Sequence, residues 1–304
     1  QVQHNTWVLF FVMPQSTDTM TVQTPPATRA NKTLKILHRL LPTSAQQGLR
    51  NSGVFRSLAD NSVVLIAAIF ALTSPKLIPQ FLSISTRLTT HQYGPDPRHY
   101  LEIIERQDDD CEKLTEDGAK PLLVFMHGGA WGSGAPWMYR LACWGLAGLG
   151  FCVANIGYRV YPEAALAGQA GDLHLALHWL ARRRRRPSPS PSPGDDGGVF
   201  LAGHSSGAHV TGLYLLWAAA GRVTPPLPLR GFLGLSGVYC IRKHYDYEKA
   251  RGVHEVSPMK PALGGVAAFA DGSPTLVARA LTAAQLARAA PTLLVHALDD
   301  GTVP

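Results

Sequence analysis

The feature that most constrains the fold of this chain is the pentapeptide GHSSG at residues 203–207, which lies between an apolar run and an alanine-rich run. Residues 199–202 predict a short buried strand, and residues 206–220 predict a helix. A strand that passes directly into a helix needs a sharp turn, and the flanking glycines let the neighbouring backbone pass without a Cβ clash. Such a turn strains Ser205 and projects its Oγ above the sheet. We therefore interpret Ser205 as a candidate nucleophile.

Apolar runs alternate with helical patterns along residues 91–304. The apolar runs are bounded by loop signals, which is typical of strands buried on both faces. Strands that alternate with helices predict an α/β domain, with a mostly parallel sheet and helices on both faces. The predicted strands are 100–105, 121–126, 151–158, 199–202, 232–235 and 292–295, and the predicted helices are 163–182 and 206–220.

Two segments precede this domain and one low-complexity loop interrupts it. Residues 1–60 predict a flexible N-terminal segment, and residues 61–90 predict an apolar helical segment. The ten apolar residues at 63–72 would form about 15 Å of helix, half of a hydrocarbon core. A helix packed on the domain and a membrane-associated segment therefore both remain open. The loop at 182–198 contains five arginines, a Pro/Ser tract and GDDGG, which predicts a solvated surface loop.

The charge and the cysteines exclude two classes of function. The formal net charge is +7, but five of the positive charges form the single run 182–186. A nucleic-acid-binding face spreads its basic residues over an element, so no nucleic-acid partner is predicted. None of the four cysteines forms a CxxC pair, and we predict neither a metal site nor a cofactor.

The sequence HGGAW at 127–131 directly follows the predicted strand 121–126. Small residues after such a strand let a substrate carbonyl approach backbone N–H groups that can bind a developing oxyanion. We expect the N–H groups of Gly129, Ala130 and Ser206 to be these donors and His127 to orient the loop. The complete predicted oxyanion and substrate-binding set is Gly128, Gly129, Ala130, His204 and Ser206.

A carboxylate follows the last predicted strand, 292–295. Asp299 and Asp300 compete for the role of the acid that orients the base, and the offset from His296 favours Asp300. The base histidine follows the acid in this chain order, which places it beyond Pro304. We therefore expect a C-terminally truncated domain with little or no activity as it stands, because a serine without a base is a poor nucleophile.

Two polar residues within the predicted helices favour structural roles. His209 lies one helical turn after Ser205, where it is expected to border the pocket or to pack. Asp172 lies among apolar neighbours on the helix 163–182, and we expect it to pair near the sheet. His244 and His254 belong to a polar stretch that we expect to cover the site as a cap.

Together these motifs resemble the hormone-sensitive-lipase-like branch of the α/β-hydrolase family, and within it the plant and algal isoprenylcysteine methylesterases. The resemblance implies an α/β-hydrolase fold and a serine carboxylesterase that hydrolyses the methyl ester of a C-terminal isoprenylcysteine without a cofactor. It also implies a small-molecule or prenylated-peptide ester as substrate and an endoplasmic reticulum or Golgi membrane location, with a cytoplasmic location as the alternative. The matching stretches are YGPDPRHYLEI, HGGAW, IGYRVYPEA, GHSSGAHV, GFLGLSGVY, KHYDYEKARGVHEVSPM and VHALDDGTVP.

Two alternatives stay open. His204 stands where those methylesterases usually have Gln, and histidine at this place is typical of arylformamidases, which hydrolyse N-formylkynurenine. Some plant hormone receptors resemble the same branch but have lost the base histidine, so a non-catalytic receptor is the alternative of another class. Ala297 in place of the usual Gly is a further, smaller departure.

Overall fold

A mixed sheet forms the centre of the part of the chain that this computed structural model describes, namely residues 77–105, 120–184, 198–298 and 300–303. Within those residues seven strands lie in the order β1-β2-β4-β3-β5-β6-β7. The first two pairs, β1 with β2 and β2 with β4, are antiparallel, and the remaining pairs are parallel. The mostly parallel sheet is thus confirmed. The strands are β1 (Thr89–Gln92), β2 (Tyr100–Ile104), β3 (Leu122–Met126), β4 (Cys152–Ile156), β5 (Val199–His204), β6 (Leu229–Leu235) and β7 (Thr292–Val295).

Helices cover both faces of the sheet, because its central strands are apolar on both sides. Every residue of β3 and β4 is buried. Ile84 and Cys143 pack with Phe125 on one face, and Leu177 and Leu213 belong to the core on the other. The described helices are α1 (Leu77–Arg87), α2 (Arg140–Ala147), α3 (Leu166–Arg184), α4 (Ser206–Ala220), α5 (Ile241–Arg251), α6 (Met259–Ala262), α7 (Pro274–Ala280) and α8 (Ala283–Leu286), with 3-10 turns at Pro136–Tyr139 and Val266–Phe269.

Of the segment predicted as helical at 61–90, Leu77–Arg87 forms α1, which packs against the sheet layer, whereas residues 89 and 90 belong to strand β1. The Arg140 guanidinium pairs with the buried Glu102 carboxylate of β2 and donates to the Ser85 hydroxyl of α1 at 2.9 Å. No helix in the described stretches combines the length and apolarity needed to cross a bilayer. The predicted flexible segment 1–60, the apolar run 63–72 and the loop residues 185–197 lie outside the described residues.

The strand order brings the predicted site loops together. β3 and β5 are adjacent and parallel, and Met126 is paired with Gly203 at their carboxyl ends. The loop after β3 and the turn after β5 therefore emerge side by side from the same sheet edge. The loop after β7 emerges at this edge too, since β5, β6 and β7 are parallel neighbours.

Candidate active site

Ser205 occupies the sharp turn between β5 and α4. Its backbone has φ 52° and ψ −121°, a strained conformation for a residue that is not glycine. Its N–H donates to the Leu235 carbonyl at 2.9 Å, and its own carbonyl accepts the His209 N–H at 3.0 Å. The strain is therefore held by β6 on one side and by the first turn of α4 on the other. This is the geometry of a nucleophile elbow, in which a serine hydroxyl projects from the top of a sheet.

Both glycines of the pentapeptide lie where another part of the backbone comes too close for a Cβ atom. A Cβ at Gly207 would collide with the backbone carbonyl oxygens of Met126 and His127. A Cβ at Gly203 would lie 2.7 Å from the Ala208 nitrogen. Because α4 begins this close to the end of β3, the Ser206 backbone at its first turn lies beside the loop that follows β3.

We call the loop that follows β3, residues 127–134, the oxyanion loop. Its backbone has an unusual conformation. Gly129 has φ 143°, and Ala130 and Trp131 have φ 50° and 61°. The N–H groups of Gly132 and Ser133 donate to the Gly129 carbonyl at 3.1 and 2.9 Å. The N–H groups of Gly129 and Ala130 have no acceptor among the described residues, so they are available to a ligand oxygen.

Tyr139 connects the oxyanion loop to the turn before Ser205. Its hydroxyl accepts the Gly128 N–H at 3.1 Å and lies 2.9 Å from His204 Nδ1. The Gly128 N–H is thus engaged within the protein, and Gly128 contributes space rather than a free donor. Burial lowers the pKa of His204, and the nearby Asp300 carboxylate opposes that effect.

His127 is enclosed beneath the oxyanion loop. Its Nδ1–H donates to the Gly128 carbonyl at 2.9 Å, and its ring stacks on Tyr158 with centroids 4.3 Å apart. The Tyr158 hydroxyl donates to the His127 carbonyl at 2.8 Å. Complete burial lowers the pKa of His127 to about 4, so its imidazole is neutral at pH 7. These contacts hold the ring against the oxyanion loop.

Asp300 is held in a defined position by the loop after β7. Its Oδ1 accepts the N–H groups of Thr302 and Val303 at 2.8 and 2.9 Å, and its Oδ2 lies 3.6 Å from His296 Nε2. Burial alone would raise its pKa, but these hydrogen bonds, the nearby His296 and a hydrogen bond from Ser236 together lower it. The group is therefore a carboxylate at neutral pH. The competing Asp299 lies outside the described residues.

Asp172 has structural partners. The Arg159 guanidinium and backbone N–H both donate to its carboxylate, and His99 Nε2 lies 3.0 Å from its Oδ1. Its side chain is 2% exposed, and the hydrogen bond to Asp172 raises the pKa of Arg159. This cluster joins the loop after β4 to α3.

A polar segment after β6 covers the oxyanion loop. The ring of His244 on α5 lies 6.5 Å from the Trp131 ring, and a Cβ at Gly132 would lie 2.7 Å from Pro258. His244 Nε2 lies 3.5 Å from Glu248, which accepts the Ser257 hydroxyl at 2.8 Å. His254 contacts Glu255 at 3.2 Å, beside Tyr245. The polar stretch around His244 thus lies over the oxyanion loop.

A cavity of about 270 Å³ lies between this cover and the acid loop. Basic side chains of α5 border it on one side, and His296 and Val303 border it on the other. Across the described ranges, no group of three or more His, Cys, Asp or Glu side chains is arranged to hold a metal ion.

One group at this site, Tyr139, was not anticipated from the sequence. Tyr139 belongs to a 3-10 turn with no motif of its own, and its contact with His204 spans 65 residues. His209 is buried and packs on Trp131, which is one of the two roles expected of it, and it also accepts the indole N–H of Trp131 from 78 residues away. Its place four residues after Ser205 was the available signal.

The comparisons with known proteins agree with this arrangement. A family profile described as alpha/beta hydrolase fold matches residues 123–301, which is more than half of the chain. The chain belongs to the alpha/beta hydrolase family. The match includes the oxyanion loop, the Ser205 turn and the Asp300 loop. The predicted α/β-hydrolase fold is therefore confirmed.

Curated members of the alpha/beta hydrolase family resemble the chain over most of its length. A probable isoprenylcysteine alpha-carbonyl methylesterase from Oryza sativa subsp. japonica is 26% identical over 84% of this chain and 61% of its own length. An isoprenylcysteine alpha-carbonyl methylesterase from Arabidopsis thaliana is 26% identical over 70% of this chain and 48% of its own. The chain thus spans less than two thirds of these relatives, and the resemblance to plant methylesterases is confirmed.

Solved alpha/beta hydrolase structures share the fold. Esterase B from Lactobacillus Rhamnosis superposes with a TM-score of 0.53 at 17% identity, covering 80% of this chain and 87% of that one. An esterase from Pyrobaculum calidifontis superposes with a TM-score of 0.55 at 15% identity, covering 91% and 82%. At these identities the likeness is one of fold.

Proposed function

We propose that the chain is the core of a serine carboxylesterase in which Ser205 is the nucleophile and Asp300 the triad acid. The observation that carries the proposal is the strained Ser205 turn beside two unengaged backbone N–H groups, those of Gly129 and Ala130. A nucleophile next to preorganised donors is the arrangement that acyl transfer requires. The alpha/beta hydrolase membership supports the same reaction class.

The reaction follows from the parts. Ser205 Oγ attacks the ester carbonyl while a histidine base accepts its proton, and the negative oxygen binds the N–H groups of Gly129, Ala130 and Ser206. Each such donor contributes about 3 kcal/mol to the transition state. The alcohol leaves with the proton from the base, and water then hydrolyses the acyl-enzyme to release the acid. Asp300 holds the imidazole in the required tautomer and stabilises its cation.

His209 is not the histidine base of this proposal. Both ring nitrogens of His209 are engaged, with Trp131 and with the Gly272 carbonyl. The catalytic test is made on the full-length protein.

As the substrate we propose the methyl ester of a C-terminal isoprenylcysteine, a prenylated peptide or a small analogue. The support is the set of plant relatives that carry this activity in their names, at 26% identity for the first two. Hydrolysis would yield methanol and the free carboxylate. Because a prenyl chain partitions into bilayers, we also propose an endoplasmic reticulum or Golgi membrane location.

The test compares substrates and removes the nucleophile. The wild-type complete polypeptide is expected to hydrolyse p-nitrophenyl acetate and to prefer prenylcysteine methyl ester over N-formylkynurenine. Ser205→Ala is expected to abolish turnover and labelling by a fluorophosphonate probe, whereas Ser83→Ala on α1 leaves both unchanged. Turnover that survives in Ser205→Ala would overturn the assignment, and a preference for N-formylkynurenine would replace the methyl ester with the formamide.

A further inference from the structure

The oxyanion loop contains two consecutive residues in a conformation that ordinary side chains avoid. Ala130 and Trp131 have φ 50° and 61°, in the left-handed region that favours glycine. Residues of this kind persist only where their surroundings enforce the conformation. The Ala130 N–H is also one of the proposed oxyanion donors, so whatever enforces this backbone also aims that donor.

Trp131 is the anchor of the strained pair, and it is bound from two sides. Its carbonyl accepts Gln169 Nε2 at 2.9 Å and the Tyr161 N–H at 2.7 Å. Its indole N–H donates to His209 Nδ1 at 3.0 Å. Trp131 is 1% exposed, so these polar contacts are made out of water, where a lost partner is most damaging.

His209 is bound at both ring nitrogens. Nδ1 accepts from Trp131, and Nε2–H donates to the Gly272 carbonyl at 2.6 Å. The two contacts fix one neutral tautomer in a completely buried ring. Burial lowers the pKa of His209 to about 4, the Gly272 carbonyl opposes this, and the neighbouring His244 adds to it. The acceptor for Trp131 is therefore present throughout the neutral range.

His209 lies on α4, the helix that begins at the Ser205 turn. Ser206, the third proposed donor, begins the same helix, and the His209 N–H donates to the Ser205 carbonyl at 3.0 Å. The imidazole thus connects the helix that contains one oxyanion donor with the loop that contains the other two. Through Gly272 it also connects both with the segment between the second 3-10 turn and α7.

We propose that His209 is a positioning residue for the oxyanion hole. His209 lies on α4 and accepts the hydrogen bond from the indole N–H of Trp131. This bond holds the strained backbone at Ala130, so that the N–H groups of Gly129, Ala130 and Ser206 point at one substrate oxygen. This role rests on the proposed esterase function. We expect His209 to affect kcat more than KM, because the donors bind an oxygen whose negative charge develops only in the transition state.

The test removes the hydrogen bond from each side in the complete polypeptide. His209→Phe and Trp131→Phe both keep an aromatic ring and lose one partner. Each is expected to lower kcat for p-nitrophenyl acetate by about 30- to 100-fold and to change KM by less than about threefold. Because both act on one bond, the double variant is expected to be no slower than the slower single variant by more than about threefold. His209→Asn, which offers an oxygen near the Nδ1 position, is expected to recover at least about fivefold in kcat.

The matched control is Thr211→Val, which also removes a completely buried polar group from α4. The Thr211 hydroxyl donates to the Gly207 carbonyl at 2.7 Å and also approaches Met126 Sδ, so Trp131 is not among its hydrogen-bond partners. A second readout, amide hydrogen exchange across residues 128–134 by mass spectrometry, does not depend on activity. Exchange is expected to be at least about tenfold faster in His209→Phe and unchanged in Thr211→Val.

The outcomes separate the positioning role from the esterase function. If the wild-type protein hydrolyses no ester, the proposed esterase function fails. If amide exchange across residues 128–134 is nevertheless faster in His209→Phe, the conclusion that His209 holds the oxyanion loop stands. If His209→Phe and Trp131→Phe both match Thr211→Val in kcat or in loop exchange, the positioning role is overturned. A rise in KM with unchanged kcat would overturn the positioning role as well. It would indicate that the two residues act on substrate binding and not on the alignment of the oxyanion donors.

Discussion

The Tyr139 hydroxyl lies 2.9 Å from His204 Nδ1 while it accepts the Gly128 N–H at 3.1 Å. One phenol oxygen therefore joins the start of the oxyanion loop to the residue before the proposed nucleophile. Burial raises the pKa of Tyr139 to about 12, so it remains a phenol and can donate to the imidazole while it accepts the amide. The contact links two loops that the pairing of β3 with β5 already places side by side.

Tyr139→Phe is expected to lower both stability and activity. It leaves the Gly128 N–H and His204 Nδ1 without their partner, which costs about 1–3 kcal/mol in the free energy of unfolding. Misalignment of the loop is expected to lower kcat by about tenfold. The measurements are urea unfolding and p-nitrophenyl acetate turnover. Tyr214→Phe is the control, because its hydroxyl lies 2.8 Å from His174 Nδ1 away from the site; it should lose stability and keep kcat. Equal kcat losses in both variants would contradict the link.

Folding stability is expected to fall as the pH drops from 6.5 to 4. Burial lowers the pKa of both His127 and His209 to about 4, against 6.5 for an ordinary histidine. In this window the unfolded chain binds protons that the folded chain excludes, so each histidine destabilises the fold by about 1.4 kcal/mol per pH unit. Across the whole window this is about 3 kcal/mol for each histidine and about 7 kcal/mol for the two together. Above pH 6.5 both forms are neutral and the effect disappears.

Urea unfolding at pH 7.5, 6 and 5 measures this dependence. His209→Gln is expected to reduce its slope between pH 6 and 5 by about 1 kcal/mol per pH unit, since one excluded proton is removed. Thr211→Val removes a completely buried polar group that does not titrate, and it is expected to leave the slope unchanged. A slope that is the same in all three proteins would contradict the assignment of neutral, buried imidazoles.

Asp172→Asn is expected to destabilise the protein without impairing the chemistry. It removes the charge that pairs with Arg159 and contacts His99 in a buried setting, and breaking such a pair costs about 3–5 kcal/mol, reduced here because the Arg159 side chain is 34% exposed. We expect a loss of about 2 kcal/mol in unfolding free energy, with kcat/KM within about threefold of wild type. Asp271→Asn, at an exposed position, serves as the control. A large loss of kcat at full stability would instead indicate a catalytic role.

Two glycine-to-alanine substitutions are expected to change the stability of the protein in opposite directions. Gly207→Ala brings a Cβ against the carbonyls of Met126 and His127, so α4 must move away from β3 and both stability and turnover fall. Gly171→Ala on α3 meets no atom within 4 Å and is expected to stabilise the helix by about 0.5–1 kcal/mol. Thermal unfolding of both variants decides this. A Gly207→Ala protein as stable as wild type would show that the close approach is not required.

The fold could be predicted to a large extent because its signals are local. The apolar run at 121–126 and the helix at 206–220 correspond to β3 and α4, and the strand at 292–295 has the predicted bounds. Strand β1 was not anticipated: Thr89–Gln92 is polar and mostly exposed, so it has no apolar pattern, and it forms only because β2 offers an edge. The strand predicted at 232–235 begins earlier, at Leu229, where it pairs with Val199.

The sequence by itself determined the identity of the candidate groups. GHSSG between an apolar and an alanine-rich run, HGGAW after a strand and an acid after the last strand are patterns that neighbouring residues impose on the backbone. Only the tertiary structure decided how these groups are held. Tyr139 meets His204, and His209 meets Trp131, across 65 and 78 residues because β3 and β5 are adjacent, and no local pattern encodes that adjacency. The pairing of strands far apart in sequence is what places one set of backbone donors beside Ser205.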